Sequence, residues 1–558
     1  MKRYLKQPVQ GYLHTKGRRI YNEADEEVLL CGWGTGNWMN PEGFMVSGVA
    51  GMHGFTSMED KLQYNIRFDR ARTMNDSIRE LCGSDYARSF WPRWYRNHLS
   101  EADIKAMAEA GCNSVRLCLD ASGLLFEEPG ITWNEDSFEM LNDVLDWCER
   151  WGIYAILDLH GAPGGQSGVS CDNGIDNVPR LFMEPESYDR ALILWEELAR
   201  RYQHRFIVGG YELLNEPIST PQWHYLLPKL RKFYEDAIAR IRQVDKKHMI
   251  ILHGAAFAHD MRLFDRGFDE ECGNWCYSVH SYWFTPDMND FYQYLEPSLR
   301  LEVPVWIGEG RGSDKAMAVF YEMMAEYGIG FNLFCWKSMD NMSDSDHGFL
   351  HYPMPKGWEL VVKYIAEGGP RPTYKEAQAM FDEMLELCKY ENCSRRESIN
   401  VYSQRRQGIV LPAVGYDSYG GQGVSFKGSW DYGNAFNYRT QDHMKMVGKP
   451  GGVIPGMFDP PMKKADPLEN LLLELSDNEF ANYTIYKVET SCPVSFTARA
   501  ISDTQLKITC GDFEKVMEIK AGDELQKYSA FVLDCGEYYT VKFTVESGSI
   551  QLENIFFD

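Results

Sequence analysis

The sequence lacks any run of about 18 consecutive apolar residues, the length that a membrane-spanning helix requires. Its first ten residues, Met1 to Gln10, are charged and polar and lack the apolar core of a secretory signal, which favours a cytoplasmic location, or a secreted one if a leader has been removed. Basic residues are also scarce, because 57 Lys and Arg stand against 81 Asp and Glu, for a formal net charge of −24. Such a chain repels nucleic acids and anionic membranes, so we expect neither as a partner.

The chain also lacks metal-binding cysteine motifs. Its fourteen cysteines are scattered, and several of them, such as Cys31, Cys118 and Cys335, lie inside apolar runs. Buried cysteines of this kind are typical of reduced core thiols. Cys272 and Cys276 form one pair with no second pair, so the spacing does not predict a zinc site.

The 558 residues are too many for one ordinary domain, and a content of 44% hydrophobic and 14% aromatic residues is enough to fill large cores. Between Cys31 and Cys335 the chain alternates between short apolar segments and amphipathic ones. Eight strands are predicted, near 28–33, 113–119, 153–159, 211–214, 248–252, 275–279, 303–307 and 329–335. Strands that alternate with helices form a parallel sheet, and eight such units predict a closed (β/α)8 barrel. We therefore assign residues 1–390 to a barrel domain with a long insertion at 34–97.

The pattern changes near Cys388. Residues 391–399 are polar and charged and are interpreted as a linker. From residue 400 onward apolar and polar residues alternate, most clearly in 483–488 and 539–545, and turn residues separate the runs. This spacing predicts that residues 400–558 form an all-β sandwich of the jelly-roll type.

Polar residues gather where the predicted barrel strands end. A closed parallel barrel brings the carboxyl ends of all its strands to one rim, where barrel enzymes carry their chemistry. The candidates are Arg116, His160, Asn215, Glu216, His280, Tyr282, Glu309 and Trp336. Four of them have a structural alternative: Arg116 as a core ion pair, the two histidines as satisfied core residues, and Trp336 as core packing.

Two of these residues, Glu216 after strand four and Glu309 after strand seven, are carboxylates that would face each other across the rim. Glycoside hydrolysis with retention needs such a pair about 5–5.5 Å apart, one as acid/base and one as nucleophile. The two must differ in protonation at one pH. We expect Arg116 to keep Glu309 ionised and a more apolar environment to keep the proton on Glu216. No metal or organic cofactor is expected, since two carboxylates suffice.

Taken in order, these eight residues resemble the signature of glycoside hydrolase family 5, in clan A, over roughly residues 20–370. The resemblance implies that Glu216 is the acid/base, that Glu309 is the nucleophile and that Asn215 bonds the sugar 2-hydroxyl. It further implies substrate-binding roles for the other five: Arg116 and Tyr282 hold the nucleophile, His160 and His280 order the substrate and the acid/base, and Trp336 forms the floor of the site.

Three local features bear on the subtype. The loop His160–Gly168 and the pair Trp336–Lys337 are similar to those of exo-β-1,3-glucanases and β-glucosidases, whereas Gly310-Arg311-Gly312 departs from the usual continuation. The insertion at 34–97 either closes one end of the cleft or is a packed surface subdomain. The segment Asp344–His347 has too few carboxylates for a calcium loop and is interpreted as a rim loop.

The expected function is therefore that of a retaining, exo-acting glycosidase on β-linked glucosides or short oligosaccharides. The alternatives are an endo-acting β-glucanase or mannanase, a β-mannosidase, and, more remotely, a non-catalytic carbohydrate-binding protein. The C-terminal region resembles carbohydrate-binding modules of families 6 and 35 in 480–499 and 535–557. A domain that only buttresses the barrel is an equal alternative, because no solvent-facing aromatic pair is evident. The sequence does not predict the oligomeric state.

Overall fold

A computed structural model describes residues 9–46, 68–282, 286–311, 315–340, 348–453 and 466–558, without the side chains of 366 and 367. The predicted rim loop Asp344–His347 and residues 47–67 of the insertion lie outside the described residues. Within the described part, no helix is long and apolar enough to cross a membrane.

Eight parallel strands close into a barrel, which confirms the predicted fold class. Their order around the barrel is β8-β1-β2-β3-β4-β5-β6-β7. The strands are β1 (Cys31–Gly34), β2 (Ser114–Asp120), β3 (Tyr154–Gly161), β4 (Val208–Glu212), β5 (Met249–His253), β6 (Trp275–Ser281), β7 (Val305–Gly310) and β8 (Phe331–Leu333). The predicted positions agree with these bounds to within a few residues, except that strand four ends earlier, at Glu212, and strand eight ends at Leu333.

Helices surround the barrel. Those of the insertion and barrel are α1 (Ala71–Cys82), α2 (Ser84–His98), α3 (Glu101–Glu109), α4 (Glu135–Trp151), α5 (Pro185–Tyr202), α6 (Leu227–Val244), α7 (Met288–Leu301), α8 (Lys315–Glu326), α9 (Glu359–Glu367) and α10 (Tyr374–Leu387). Helix α4 illustrates how the sequence specifies them. Its buried Phe138, Leu141, Leu145 and Cys148 recur every three or four positions, and Gly152 ends it at φ 65°. This spacing places one apolar stripe against the sheet, and glycine adopts the left-handed end without steric strain.

The amino-terminal end of the barrel is sealed by a hairpin of two short strands, His14–Lys16 and Arg19–Tyr21. Leu13 and Ile20 from this hairpin pack against inward-facing residues of β3, β5, β6 and β7. The barrel interior at this end is therefore a filled core, which leaves the opposite, carboxyl-terminal end for a site.

The described part of the insertion is a helical hairpin, α1 and α2, that packs on α10. Tyr86 and Arg93 of α2 both bond Asp382 of α10 at 2.8 Å. At its start, Arg70 donates to the carbonyl oxygens of Gly174 and Asp176, each at 3.3 Å, in the loop after β3. The insertion is thus both a packed subdomain and a tether for a loop at the carboxyl-terminal face.

Residues 391–399, predicted to be a linker, contain regular structure. The chain forms β9 (Lys337–Met339) and β10 (Leu350–Tyr352), and β11 (Ser394–Arg395) joins them in a three-stranded sheet. Helix α11 (Glu397–Ser403) follows directly. The polar composition that suggested a linker belongs instead to exposed strand and helix residues at the side of the barrel.

The C-terminal region is all β, as predicted. One sheet has the order β14-β15-β22-β17-β20, with β12 also paired to β22, and the other has the order β13-β16-β21-β18-β19. The strands are β12 (Val410–Pro412), β13 (Phe426–Lys427), β14 (Lys445–Gly448), β15 (Leu471–Ser476), β16 (Phe480–Val488), β17 (Cys492–Ala500), β18 (Thr504–Cys510), β19 (Phe513–Ile519), β20 (Gln526–Leu533), β21 (Gly536–Ser547) and β22 (Ser549–Phe557).

This region is fixed to the barrel by buried polar contacts. Arg405 is fully buried and donates to the carbonyl of Ala318 in α8 at 3.1 Å and to Asp417 at 2.6 Å. The backbone N–H of Arg439 donates to Asp287, the residue before α7, at 3.4 Å. Because α7 and α8 begin at the carboxyl-terminal face of the barrel, the loops of the C-terminal region lie beside that face.

Candidate active site

The turn after β4 carries the first carboxylate. Strand β4 ends at Glu212, and the chain then turns so that Glu216 adopts φ 40° and Ile218 adopts φ 50°. The backbone N–H of Glu216 donates to His253 Nδ1 of β5 at 3.1 Å. Left-handed backbone at residues other than glycine is unfavourable and is held by its surroundings, often at functional sites. The histidine contact thus fixes Glu216 at the rim.

The two predicted carboxylates meet across the barrel mouth. Oxygens of Glu216 and Glu309 and a ring nitrogen of His280 all lie within 4.8 Å of one another. His280 Nδ1 is 2.5 Å from Glu216 Oε1 and 3.4 Å from Glu309 Oε2. The two carboxylates are thus closer than the ~6.5–9.5 Å of inverting glycosidases, as direct attack by one carboxylate on the sugar requires.

Two side chains donate hydrogen bonds to Glu309. Arg116 Nη1 donates to its Oε1 at 2.6 Å, and the Tyr282 hydroxyl donates to its Oε2 at 2.8 Å. A guanidinium at this distance stabilises negative charge, and the phenol hydrogen bond orients the carboxylate. Both predicted partners of Glu309 are therefore in contact with it.

The surroundings of Glu216 differ. Burial raises its pKa above the ordinary 4.5, although nearby histidines and Arg116 act in the opposite direction. His280 is itself buried, and this burial holds its pKa well below 6.5, so the imidazole is neutral near pH 7. A protonated carboxyl and an ionised one can thus coexist side by side, as acid/base chemistry on one sugar requires.

The predicted site residues rest on a charged layer that the sequence analysis did not identify. Arg116 is fully buried; its Nε donates to Glu212 at 2.6 Å, and its Nη2 lies 3.1 Å from Asp158. Glu212 also contacts His253 Nε2, and both side chains are completely buried. Burial raises the pKa of Glu212, but Arg116 and His253 outweigh this and lower it to about 2. A charged residue between apolar neighbours in a buried strand, such as Glu212, indicates an oppositely charged partner, because an unpaired buried charge is very unfavourable.

Asn215 and His160 are brought together by the same layer. The Asn215 Oδ1 accepts from Arg116 Nη2 at 2.8 Å, and its Nδ2 lies 3.3 Å from His160 Nε2. His160 Nδ1 contacts Asp158 at 2.7 Å. Both residues also line the cavity, so the structure brings together seven of the eight predicted site residues.

Trp336 is the exception, and the prediction that it forms the floor of the site is wrong. Its Nε1 donates to Asp103 of α3 at 2.9 Å, and its ring packs on Trp33 and Phe349 in the core. The aromatic residue that lines the cavity after β8 is Phe334, which stacks parallel to the His160 ring with centroids 6.0 Å apart. The physical reason is strand length: β8 ends at Leu333, so the chain has already turned away from the mouth at Trp336.

The cavity above the carboxylates has a volume of about 290 Å³. This is near the lower end of the ~300–1,000 Å³ range of ligand sites. Its lining combines carboxylates, imidazoles and aromatic rings, from Glu42, Phe44, His160, Cys171, Asn215, Glu216, Phe257, His259, His280, Tyr282, Glu309 and Phe334. Phe257 belongs to three consecutive residues, 256–258, with positive φ after β5. The sequence analysis missed six lining residues that all lie outside the eight barrel strands: Glu42, Phe44, Cys171, Phe257, His259 and Phe334.

The spacing of Glu216, His280 and Glu309 would also admit a small cation. The Arg116 guanidinium, however, already supplies positive charge 2.6 Å from Glu309. In this carboxylate pair, Glu309 is paired with the Arg116 guanidinium, and Glu216 can carry a proton. These two groups define a barrel enzyme equipped for acid/base and nucleophilic chemistry.

Comparison with known proteins points to one family. Residues 74–340, which form most of the barrel, match the family model described as cellulase (glycosyl hydrolase family 5). A β-xylosidase of Phanerodontia chrysosporium is 28% identical over 272 residues, which cover 49% of this chain and 52% of the relative. A glucan 1,3-β-glucosidase of Candida oleophila is 31% identical over 193 residues, which cover 33% of this chain and 42% of the relative. The chain thus spans about half the length of these curated relatives.

Two solved structures resemble this chain at low sequence identity. A rutinosidase from Aspergillus niger has a TM-score of 0.44 and 14% identity, covering 57% of this chain and 92% of its own. An endogalactoceramidase has a TM-score of 0.44 and 13% identity, covering 97% of this chain and 99% of its own.

Proposed function

We propose that this protein is a retaining β-glycosidase that removes single sugars from β-glucosides or short β-linked oligosaccharides. The observation that carries the proposal is the pair Glu216 and Glu309, whose oxygens lie within 4.8 Å while their environments differ. Glu309, held by Arg116 and Tyr282, attacks the anomeric carbon. Glu216 donates its proton to the leaving oxygen and then, as the base, activates the water that releases the sugar.

The change of role at Glu216 follows from the local charge. While Glu309 is ionised, a second negative charge nearby is unfavourable, and burial adds to this, so Glu216 stays protonated. When Glu309 forms an ester with the sugar, its negative charge is lost, and Glu216 can release its proton to the leaving group. The neutral His280, 2.5 Å from Glu216, keeps this carboxyl in place through both steps.

The shape of the site supports exo action. A cavity of about 290 Å³ suits a short ligand rather than a polymer lying in an open groove. On one side it is bounded by the loop after β3, which contains Cys171, and Arg70 of the insertion anchors this loop through Gly174 and Asp176. A loop held in this position would limit the number of sugar units that can extend beyond the reacting one.

Replacement of each carboxylate by its amide tests the mechanism. With an aryl β-glucoside, Glu309→Gln should lose activity by more than ~10³-fold, because the nucleophile is gone. Glu216→Gln should lose ~10²–10⁴-fold on an alkyl glucoside but much less on a dinitrophenyl glucoside, whose leaving group needs little protonation. Wild-type turnover in both variants would overturn the proposal, and inversion of the first-formed anomer in an NMR time course would overturn retention.

The alternatives within the class are an endo-acting β-glucanase or mannanase and a β-mannosidase. Aryl β-glycosides of glucose, mannose and xylose distinguish the sugars by their kcat/KM values. Incubation with soluble β-glucan and mannan distinguishes the modes: exo action releases monosaccharide with little change in viscosity, whereas a rapid viscosity fall would favour endo action.

A second function, sugar binding by the C-terminal region, is favoured by an aromatic pair in which one ring is exposed. The rings of Trp430 and Tyr432 lie 5.1 Å apart at 62°, and Tyr432 is 73% exposed. Exposed aromatic faces next to polar groups are typical of sugar contacts. Full-length Glu309→Gln protein should be retarded in a gel that contains its polysaccharide, and adding Trp430→Ala and Tyr432→Ala should abolish the retardation. Equal mobility of the two proteins would indicate that this region supports the barrel and does not bind the polysaccharide.

A further inference from the structure

A second cleft, larger than the catalytic cavity, lies between the helical insertion and the loop after β2. Its volume is about 520 Å³, and it is lined by α1, α2, the segment 120–127 and the first turns of α4. An adjoining cavity of about 310 Å³ continues it toward residues 162–164, and the ion pair of Arg72 and Glu127 lines both cavities. Among the described residues, none that lines these two cavities also lines the catalytic one. The proposed mechanism therefore leaves this cleft without a role.

The aromatic side chains of the cleft are held in place by their surroundings. Phe126, on the loop after β2, is 43% exposed. Arg190 of α5 fixes this loop by donating to the carbonyl of Gly130 at 2.7 Å. On the insertion side, the half-buried Trp91 donates from Nε1 to Asn75 Oδ1 at 3.0 Å, which ties α2 to α1. The cleft thus presents aromatic rings from two separate segments, each anchored before any ligand arrives.

The cleft also contains a buried hydroxyl without a protein acceptor. Tyr95 of α2 is 8% exposed, and its hydroxyl makes no hydrogen bond within the ranges that the structure describes. It faces Gly123, where a Cβ atom would lie 3.5 Å from the hydroxyl oxygen. Burial raises the pKa of Tyr95, and Asp120 adds to the rise, so the group is a neutral donor near pH 7. A buried donor left unpaired is unfavourable, which indicates that a ligand supplies the acceptor.

Asp120, the last residue of β2, offers the complementary group. It is 2% exposed and lines both parts of the cleft. Its Oδ2 accepts from Asn173 Nδ2 at 2.9 Å and from the Ser122 hydroxyl, whereas its Oδ1 accepts no hydrogen bond from the described residues. Burial raises the pKa of Asp120 to about 7. One cleft therefore holds an unused donor and an unused acceptor, and sugar hydroxyl groups, which both donate and accept, would satisfy the two.

The charges of the cleft compensate one another. Three guanidinium groups and three carboxyl groups line the larger cavity: Arg72, Arg88, Arg96, Asp120, Glu127 and Asp136. The three guanidinium groups are already paired, with Glu127, Asp85 and Asp143 in turn. Although the whole chain carries a formal net charge of −24, this cleft offers no uncompensated charge to an ionic ligand. Aromatic rings beside neutral donors and acceptors match a neutral ligand with hydroxyl groups and flat apolar faces.

We propose that this cleft is a second binding site for a neutral oligosaccharide, separate from the catalytic cavity. The rings of Trp91 and Phe126 contact the apolar faces of sugar units. Tyr95 and Asp120 exchange hydrogen bonds with their hydroxyl groups. A volume of about 520 Å³ lies within the ~300–1,000 Å³ range of ligand sites. The choice of a sugar rests on the proposed function, in which this protein acts on neutral β-linked oligosaccharides. The site keeps such a molecule on the protein between cleavage events.

The test is the binding of cellopentaose and laminaripentaose to full-length Glu309→Gln protein, measured by isothermal titration calorimetry and amide hydrogen exchange. At least one of them should slow exchange in peptides spanning 86–98 and 120–130, besides any peptides at the catalytic cavity. Adding Tyr95→Phe should weaken the binding that protects these two peptides by ~2–10-fold, the range for one neutral hydrogen bond. Adding Phe126→Leu, which keeps an apolar side chain but removes the ring, should weaken it at least as much.

Two controls separate ligand binding from stability. Tyr95→Phe removes a hydroxyl without a described protein partner, so the midpoint of urea unfolding should stay that of the parent protein. Phe513→Leu, at a phenylalanine 41% exposed on β19, is the matched control for Phe126→Leu and should leave the protection of both peptides unchanged. Unprotected peptides 86–98 and 120–130, or equal affinity in the parent, Tyr95→Phe and Phe126→Leu proteins, would overturn the inference. Tighter binding of anionic pentagalacturonate than of both neutral pentasaccharides would overturn it too.

The outcome is separable from that of the proposed function. Loss of activity in Glu216→Gln and Glu309→Gln, with no protection of the cleft by either pentasaccharide, would reject only the second site. Protection of the cleft, with wild-type turnover in both of those variants, would support the second site and reject the proposed mechanism.

Discussion

The buried pair Arg116 and Glu212 provides a quantitative test of how the charged layer supports the site. In the variant Glu212→Gln, the amide keeps the shape of the side chain and removes its charge. The fall of the Glu212 pKa from 4.5 to about 2 contributes about 3 kcal/mol to the free energy of unfolding, at ~1.4 kcal/mol per pH unit. Because the folded-state pKa is the lower one, this stabilisation is present above pH 4.5 and is lost as the pH falls toward 2.

The measurement is urea unfolding of both proteins between pH 7 and pH 3, followed by far-UV circular dichroism. At pH 7 the variant should be less stable than the wild type by about 3 kcal/mol. At pH 3 this difference should shrink to roughly 1.4 kcal/mol, because pH 3 lies only one unit above the pKa of about 2. The control Asp85→Asn, which removes an exposed charge, should stay within ~0.5 kcal/mol of the wild type at every pH.

Activity gives an independent reading of the same variant. Arg116 bonds Glu212 and Glu309 through different nitrogens, each at 2.6 Å, so loss of one anchor frees the guanidinium to move relative to Glu309. A fall in kcat of ~10-fold or more is expected, because small displacements of catalytic groups are costly. A stability difference that is the same at pH 7 and pH 3, with unchanged kcat, would refute the assignment of Glu212 as an ionised support.

Three further predictions concern individual residues. Tyr282→Phe removes the 2.8 Å hydrogen bond to Glu309 and should lower kcat/KM by ~10–100-fold with little change in unfolding; an unchanged kcat/KM would contradict that contact. Trp336→Phe removes one hydrogen bond, of 2.9 Å, to the buried carboxylate of Asp103, which keeps Lys337 and Ser100 as partners, and should destabilise the fold by ~1–3 kcal/mol. The KM for an aryl glucoside should stay constant, and a large rise in KM would show that Trp336 belongs to the site. Glu216 must be protonated to act as an acid, and burial raises its pKa, so kcat/KM should decrease with rising pH only at a pH above 4.5. This decrease should disappear in Glu216→Gln.

Two of these predictions, those for Glu212 and Trp336, could not be made from the sequence alone. Glu212 lies inside the stretch Gly209–Pro217 that carries the acid/base candidate, yet its role depends on Arg116, which is 96 positions away. The sequence shows a charged residue in a buried strand but not its partner, because the pairing is created by barrel closure. Trp336 and Phe334 differ by two positions, and only the end of β8 at Leu333 decides which of them lines the cavity.

The sequence by itself determined the (β/α)8 barrel, the all-β C-terminal region and seven residues that converge on one site. These follow from local patterns: period-two and period-3.6 hydrophobicity fixes the elements, and a parallel barrel places all strand ends at one rim. Only the tertiary structure decided the approach of the two carboxylates to within 4.8 Å, the burial that raises the pKa of Glu216 and the position of Glu42 in the same cavity. Distance and burial depend on how remote segments pack, and loop residues such as Glu42 carry no periodic signal in the sequence.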